Sequence, residues 1–200
     1  MTSRFLAPAA LAMAVLPFGS LAAQLSLWTG SRSYHGGPAQ IEHPDNLRFR
    51  PLEVREYGAA IRLLRIGNMT LGVTGEYYTG AFGGVGDGAL VGFRNQVEGL
   101  SFRARMEWPL LRSSDDDSYV VAQVEPGLEH LTLGSSSGHS RFVVSAGPEV
   151  SIRIHGRLRF TTAIHVAALT SSAVPQSEVP PEVSNHNNWW STLRIGASIR

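Results

Sequence analysis

The chain has no cysteine and no lysine among its 200 residues. Without thiols there is no disulfide, no thiolate metal centre and no lipid-modified cysteine. All 17 basic residues are arginine, against 16 acidic ones. Charged residues make up 16% of the sequence, below the roughly 25% of ordinary soluble domains. Removing Arg4 with the leader described below leaves 16 arginines facing 16 carboxylates, so no electrostatic field favours nucleic acid. Long apolar runs are missing too. The stretch from Phe5 to Val15 is too short to cross a bilayer as a helix, and no other stretch comes close.

That stretch has another reading. Arg4, the apolar run and the small residues Ser20-Leu21-Ala22 have the layout of an export signal, cleaved after Ala22 or Ala23. Residues 1–23 are therefore expected to be a signal peptide and residues 24–200 one domain, since no linker interrupts them.

What fills that domain is alternation. Along 141–155, Phe142, Val144, Ala146, Val150, Ile152 and Ile154 share one parity, opposed by Arg141, Ser145, Glu149, Ser151, Arg153 and His155. Along 157–170, Leu158, Phe160, Ile164, Val166 and Ala168 oppose Arg157, Arg159, Thr161 and His165. A period of two is a strand signal. Six further strands follow from the same pattern, near 24–34, 55–66, 69–80, 97–109, 118–133 and 189–200. The cleanest sets Leu100, Phe102, Ala104, Met106 and Trp108 against Ser101, Arg103, Arg105 and Glu107. Short connections at 67–68, 110–117 and 155–157 alternate with long ones near 35–54, 81–96 and 171–188, and 134–140 occupies a long-loop slot. This sorting is required of an eight-stranded antiparallel up-and-down transmembrane β-barrel, with short turns periplasmic and long loops extracellular. From Phe142 to Ile154 is 12 steps, roughly 40 Å at about 3.4 Å per residue. At a tilt of about 40° that covers the apolar band of about 25 Å. Trp28, Trp108, Tyr119, Trp189 and Trp190 fall near strand ends and are expected at the membrane interfaces.

The last eight residues, Leu193-Arg194-Ile195-Gly196-Ala197-Ser198-Ile199-Arg200, resemble the closing strand of small bacterial outer-membrane barrels of the OmpA-like superfamily. The family's terminal aromatic has no counterpart, because Arg200 stands there. The resemblance implies an outer-membrane location, lipid contact, docking to the barrel-assembly machinery through this strand, and a structural or surface-interaction role with at most a narrow pore. No cofactor and no enzymatic activity are expected. Any extracellular partner would meet the long loops.

An eight-stranded barrel is just wide enough for its own side chains, so the inward charges must satisfy one another. The expected lumen network, a structural one, is Arg103, Arg105, Glu107, Glu125, Glu149, Arg153, Arg159, His165 and Arg194. Pairing by residue sums of about 228 and 274 puts Arg103 opposite Glu125, Glu125 opposite Glu149, and Pro126 opposite Pro148. Glu125 beside Glu149 reads either as a carboxylate pair for acid–base chemistry or as part of an arginine-neutralised plug, the second being favoured. The two prolines cannot donate to a ladder, so a bulge or kink is expected there, absorbed by the flanking glycines.

Other candidates are weaker. His139-Ser140 and Ser184-Asn185-His186 put a nucleophile beside a base. Lipid-A deacylases, also eight-stranded, use a Ser, a His and an acid on the barrel wall, but their motif does not match here. Asp115–Asp117 lacks calcium-loop spacing and reads as a solvated turn. The rival fold is a soluble exported lipocalin-like carrier with the apolar face turned inward, which the same period would produce. Low charge, the terminal strand and the loop alternation favour the membrane version. Membrane fractionation checks it: the protein should pellet with the envelope and migrate faster on a gel when unboiled, whereas a carrier would stay soluble.

Overall fold

A computed structural model describes residues 24–35, 48–86, 89–134, 138–172 and 188–199. The proposed leader, and the candidate Ser184 and His186, lie outside these residues. Eight strands form: β1 (Gln24–His35), β2 (Arg48–Ile66), β3 (Met69–Gly86), β4 (Ala89–Arg112), β5 (Ser118–Leu133), β6 (His139–His155), β7 (Leu158–Leu169) and β8 (Trp189–Ile199). Each pairs antiparallel with its sequence neighbour, and β8 closes onto β1, giving one barrel without a free seam.

The faces follow residue parity. Phe102, Phe142 and Phe160 point outward, with 73%, 44% and 39% of their surface exposed, and Leu27, Leu128, Ile164 and Leu193 do the same. Arginines and glutamates fill the interior. This orientation removes the carrier alternative, whose apolar residues would line the lumen. On β4 the outward apolar run extends from Leu100 to Leu110, roughly 34 Å of strand at about 3.4 Å per residue. Tilted by about 40°, it covers a band of roughly 26 Å, the height of a bilayer's hydrocarbon core.

The stagger can be counted from the rungs. From Thr29 they run through Tyr57, Tyr77, Leu100 and His130 to Ser140. In the other direction they run through Ile195 and Thr162 to Val150. Both paths end on β6, ten residues apart, and this shear tilts the strands.

The turns match their sequences. Gly67 and Gly156 adopt positive φ (58° and 53°) in the two-residue turns, where a Cβ would be strained. In the turn of 113–117, the Ser113 hydroxyl donates to Asp115 Oδ1 at 2.5 Å and the Asp117 amide donates to the same oxygen at 3.3 Å. These bonds hold the Asp115 carboxyl below its ordinary pKa. Asp116 and Asp117 pair with Arg112 and Arg153. Among the described residues no cluster could hold a metal ion.

Three expectations need correction. The segments 48–54 and 81–96 are not loops: β2, β3 and β4 continue through most of them, pairing up to Gly86 with Ala89. Backbone pairing needs no alternation, so the Gly-rich stretch gave no signal. The registers also differ. Arg103 faces Gly127, Glu125 faces Ser145, and the prolines face Val144 and Ala122. Finally, neither proline makes a bulge. Pairing of β5 with β6 is continuous through both, and the register is unchanged on their other sides, where rungs drop out between Arg103 and Met106 and between Ala146 and Glu149.

The neighbouring glycines admit close approach instead. A Cβ on Gly127 would lie 2.1 Å from the Phe102 carbonyl, and one on Gly147 would lie 1.8 Å from that of Ile164. Gly147→Ala should therefore abolish the fast-migrating folded band. Gly75→Ala, whose Cβ meets only the Phe102 ring at 3.9 Å, should leave it intact or stabilise it by about 0.5–1 kcal/mol.

Candidate functional site

The lumen is layered along the barrel axis. Toward the loop end, Tyr34, Val54, Tyr78, Phe82, Leu131, Val143, Ala167 and Trp190 pack into an apolar layer. Below it lie charges.

Six arginines (Arg32, Arg62, Arg103, Arg105, Arg141, Arg194) and six glutamates (Glu56, Glu76, Glu107, Glu125, Glu129, Glu149) form one connected set of ion pairs. Its formal charge is zero. Arg32 alone reaches three carboxylates, Glu129 at 2.6 Å, Glu76 at 2.9 Å and Glu56 at 3.0 Å. Arg194 reaches Glu76 at 2.6 Å, Glu56 at 2.9 Å and Glu125 at 3.2 Å. Arg103 pairs with Glu76 and lies 3.6 Å from Glu125. Lower down, Arg105 bonds Glu107 at 2.5 Å and Glu149 at 2.7 Å, and Arg62 bonds Glu107 at 2.5 Å. Burying a charge is costly unless it is paired and hydrogen-bonded. Here every carboxylate has at least one arginine within bonding distance.

Aromatic rings close the remaining gaps. The Arg32 guanidinium lies 4.0 Å from the Trp190 ring and 4.3 Å from that of Tyr78, and Arg194 lies 5.3 Å from Trp28. Such stacking suits desolvated guanidiniums. Trp28 and Trp190 are therefore lumen residues, and Tyr119 is buried below Arg159, so these three do not belong to the interfacial girdle. Trp108 and Trp189 do face outward.

Of the nine expected network residues, Arg103, Arg105, Glu107, Glu125, Glu149 and Arg194 lie in the connected set. Arg159 is buried beside it, donating to Ser151 and to the Asp116 and Asp117 carbonyls. His165 Nε2 meets Gln123 Oε1 at 2.8 Å. The Gln123 amide nitrogen donates to Glu107 and Glu149, so its oxygen accepts and Nε2 carries the hydrogen. Arg153 is the exception: it is exposed and reaches out to Asp117 at 3.1 Å. Glu125 and Glu149 are not a ladder pair; Arg105 stands between them, at 3.6 Å and 2.7 Å.

Arg32, Glu56, Glu76, Glu129, Arg141 and Arg62 were not anticipated. Arg62, Glu76, Glu129 and Arg141 already stood on the polar parity of their strands, which was the available signal. The loop-end hydroxyls also pair otherwise than by adjacency. Ser140 Oγ meets His130 Nδ1 at 2.8 Å, while His139 Nε2 meets Ser171 at 3.0 Å.

Charges enclosed by a closed sheet with an apolar exterior define a transmembrane-type β-barrel, and its fold is that of the small bacterial outer-membrane barrels. Comparison with solved structures agrees. OprG of Pseudomonas aeruginosa aligns over 88% of this chain and 94% of its own, at TM-score 0.55 and 7% identity. A major outer membrane protein of Thermus thermophilus aligns over 90% and 99%, at TM-score 0.54 and 12% identity. Ail of Yersinia pestis aligns over 88% and 96% at TM-score 0.45 and 10% identity. No family model matches the sequence, and no curated protein does.

Glu125→Gln should lower stability by about 3–5 kcal/mol, because it strands buried guanidiniums. Arg153→Gln at the rim should cost at most about 1 kcal/mol. Urea unfolding in detergent micelles compares the two.

Proposed function

We propose that the protein is an outer-membrane barrel that neither conducts nor catalyses, and that acts through its outer wall and loop end. The observation carrying this reading is the filled lumen, with a neutral six-and-six ion network beneath an apolar layer. Ions would have to cross both. A cavity of about 300 Å³ opens at the turn end, beside Arg62, Asn68, Thr70 and Tyr119.

Among the described residues, the loop-end imidazoles of His130 and His139 contact serine hydroxyls, with no carboxylate bonded to either. With β1 starting and β8 ending beside the short turns, that end would face the periplasm. The assembly machinery would engage β8, and partners outside the cell would meet the extended β2–β3–β4 sheet and the neighbouring loops. Membrane integrity or surface adhesion are the roles this arrangement suits.

Planar-bilayer recording tests the reading. The purified protein should give no stepwise conductance above the bare bilayer at neutral pH. Discrete openings from the wild-type barrel would make it a pore instead.

A further inference from the structure

The outward apolar band is not of even height. β4 sustains it from Leu100 to Leu110, but on β1 only Leu25 and Leu27 belong to it. Thr29, Ser31 and Ser33 follow on the same outward parity, and all three are exposed. Ser31 is the direct cross-strand partner of Arg55 on β2, and Ser33 that of Ser191 on β8. Arg55 is exposed as well. The strand tilt makes each rung step about 3 Å in height. Counted that way, Ser31 and Ser33 stand level with Leu100, Leu128 and Phe142 on the opposite wall. A group of hydroxyls with a cation thus occupies the loop-side half of a wall that elsewhere meets hydrocarbon.

Part of the hydrogen-bonding capacity of this patch is unused among the described residues. Thr29 donates to the Glu56 carbonyl at 3.2 Å and Ser191 meets His35 Nε2 at 2.9 Å. The side chains of Ser31, Ser33 and Arg55 have no partner among the described residues. Glu53 stands beyond Arg55 toward the rim, with φ at 49°, and forms no ion pair with it. Unpaired donors facing lipid are expensive. They are satisfied if a headgroup descends to meet them.

Given the membrane placement proposed above, we propose that this notch binds the phosphate of an outer-leaflet lipid headgroup. Arg55 would supply the charge-assisted contact, and Ser31 and Ser33 would donate to the remaining oxygens. A second copy of the chain is a poorer occupant. A two-fold contact here would bury both Arg55 side chains with no carboxylate yet paired to either.

The test uses the intact protein in phosphatidylcholine nanodiscs with a minor fraction of phosphatidic acid. Lipids that stay bound after mild detergent extraction are counted by native mass spectrometry. Wild type should retain phosphatidic acid roughly tenfold above its bulk share, the scale of a charge-assisted hydrogen bond. A variant carrying Arg55→Gln, Ser31→Ala and Ser33→Ala should fall to the bulk share while keeping its heat-modifiable migration. Arg65→Gln, at the other end of the barrel, should bind as wild type does. Equal retention by wild type and the triple variant overturns the site. Loss of retention in millimolar inorganic phosphate would replace the lipid by a free anion. Ser33→Cys, in a chain with no other thiol, would give disulfide-linked dimers if the occupant were a second copy, which also overturns the lipid assignment. Failure to enter nanodiscs at all would refute the membrane placement rather than the notch.

Discussion

Everything in this molecule answers to one constraint: the hydrocarbon around it cannot accept a hydrogen bond. Backbone groups satisfy that by pairing around a closed ring, and side chains satisfy it by pairing across the ring's interior. The twelve-residue ion network is the second solution. It carries no net charge, and it spans strands remote in sequence, as when Arg32 of β1 reaches Glu129 of β5. Removing any one member leaves its buried partners short of a counter-charge. The network is less a set of attractions than a neutrality condition that the whole interior must meet together.

The apolar layer at the loop end changes what such a lumen can do. A barrel filled only by ion pairs could rearrange to admit water. Here Tyr34, Phe82, Leu131 and Trp190 seal one end, and Trp190 also forms the floor on which Arg32 stacks. The same ring therefore closes the lumen and positions the topmost guanidinium. What remains open is the turn-end vestibule, where the Arg62–Leu64 and Pro109–Leu111 register shifts lie on β2 and β4. Under the function proposed above, interest moves from the inside of the barrel to its outside.

Strand identity and facing were legible in the sequence because a period of two reports them directly. Arg103, Glu107 and Phe102 fell on the faces that parity assigns. Register was not legible, for a physical reason. The β4–β5 pairing was misjudged by two residues and the β5–β6 pairing by four, and an even slip returns every side chain to its original face. Alternation cannot detect it. The tryptophans failed differently: nearness to a strand end suggested the interface for Trp28 and Trp190, and only their parity, which matches Arg32 and Arg194, says they turn inward. The length of β3 and β4 was hidden by glycine, whose pairing leaves no pattern of side chains to read.

The seam between β1 and β8 joins residues from opposite ends of the polypeptide, Leu25 with Ile199 and His35 with Trp189. Arg194, on the last strand made, supplies cations to Glu56, Glu76 and Glu125 on three earlier ones. Until that strand arrives, five arginines face six glutamates, and the unbalanced set cannot enter lipid cheaply. Ring closure by β8 and insertion are thus energetically coupled, and a sheet lacking β8 would be held at the water's edge by its own excess negative charge.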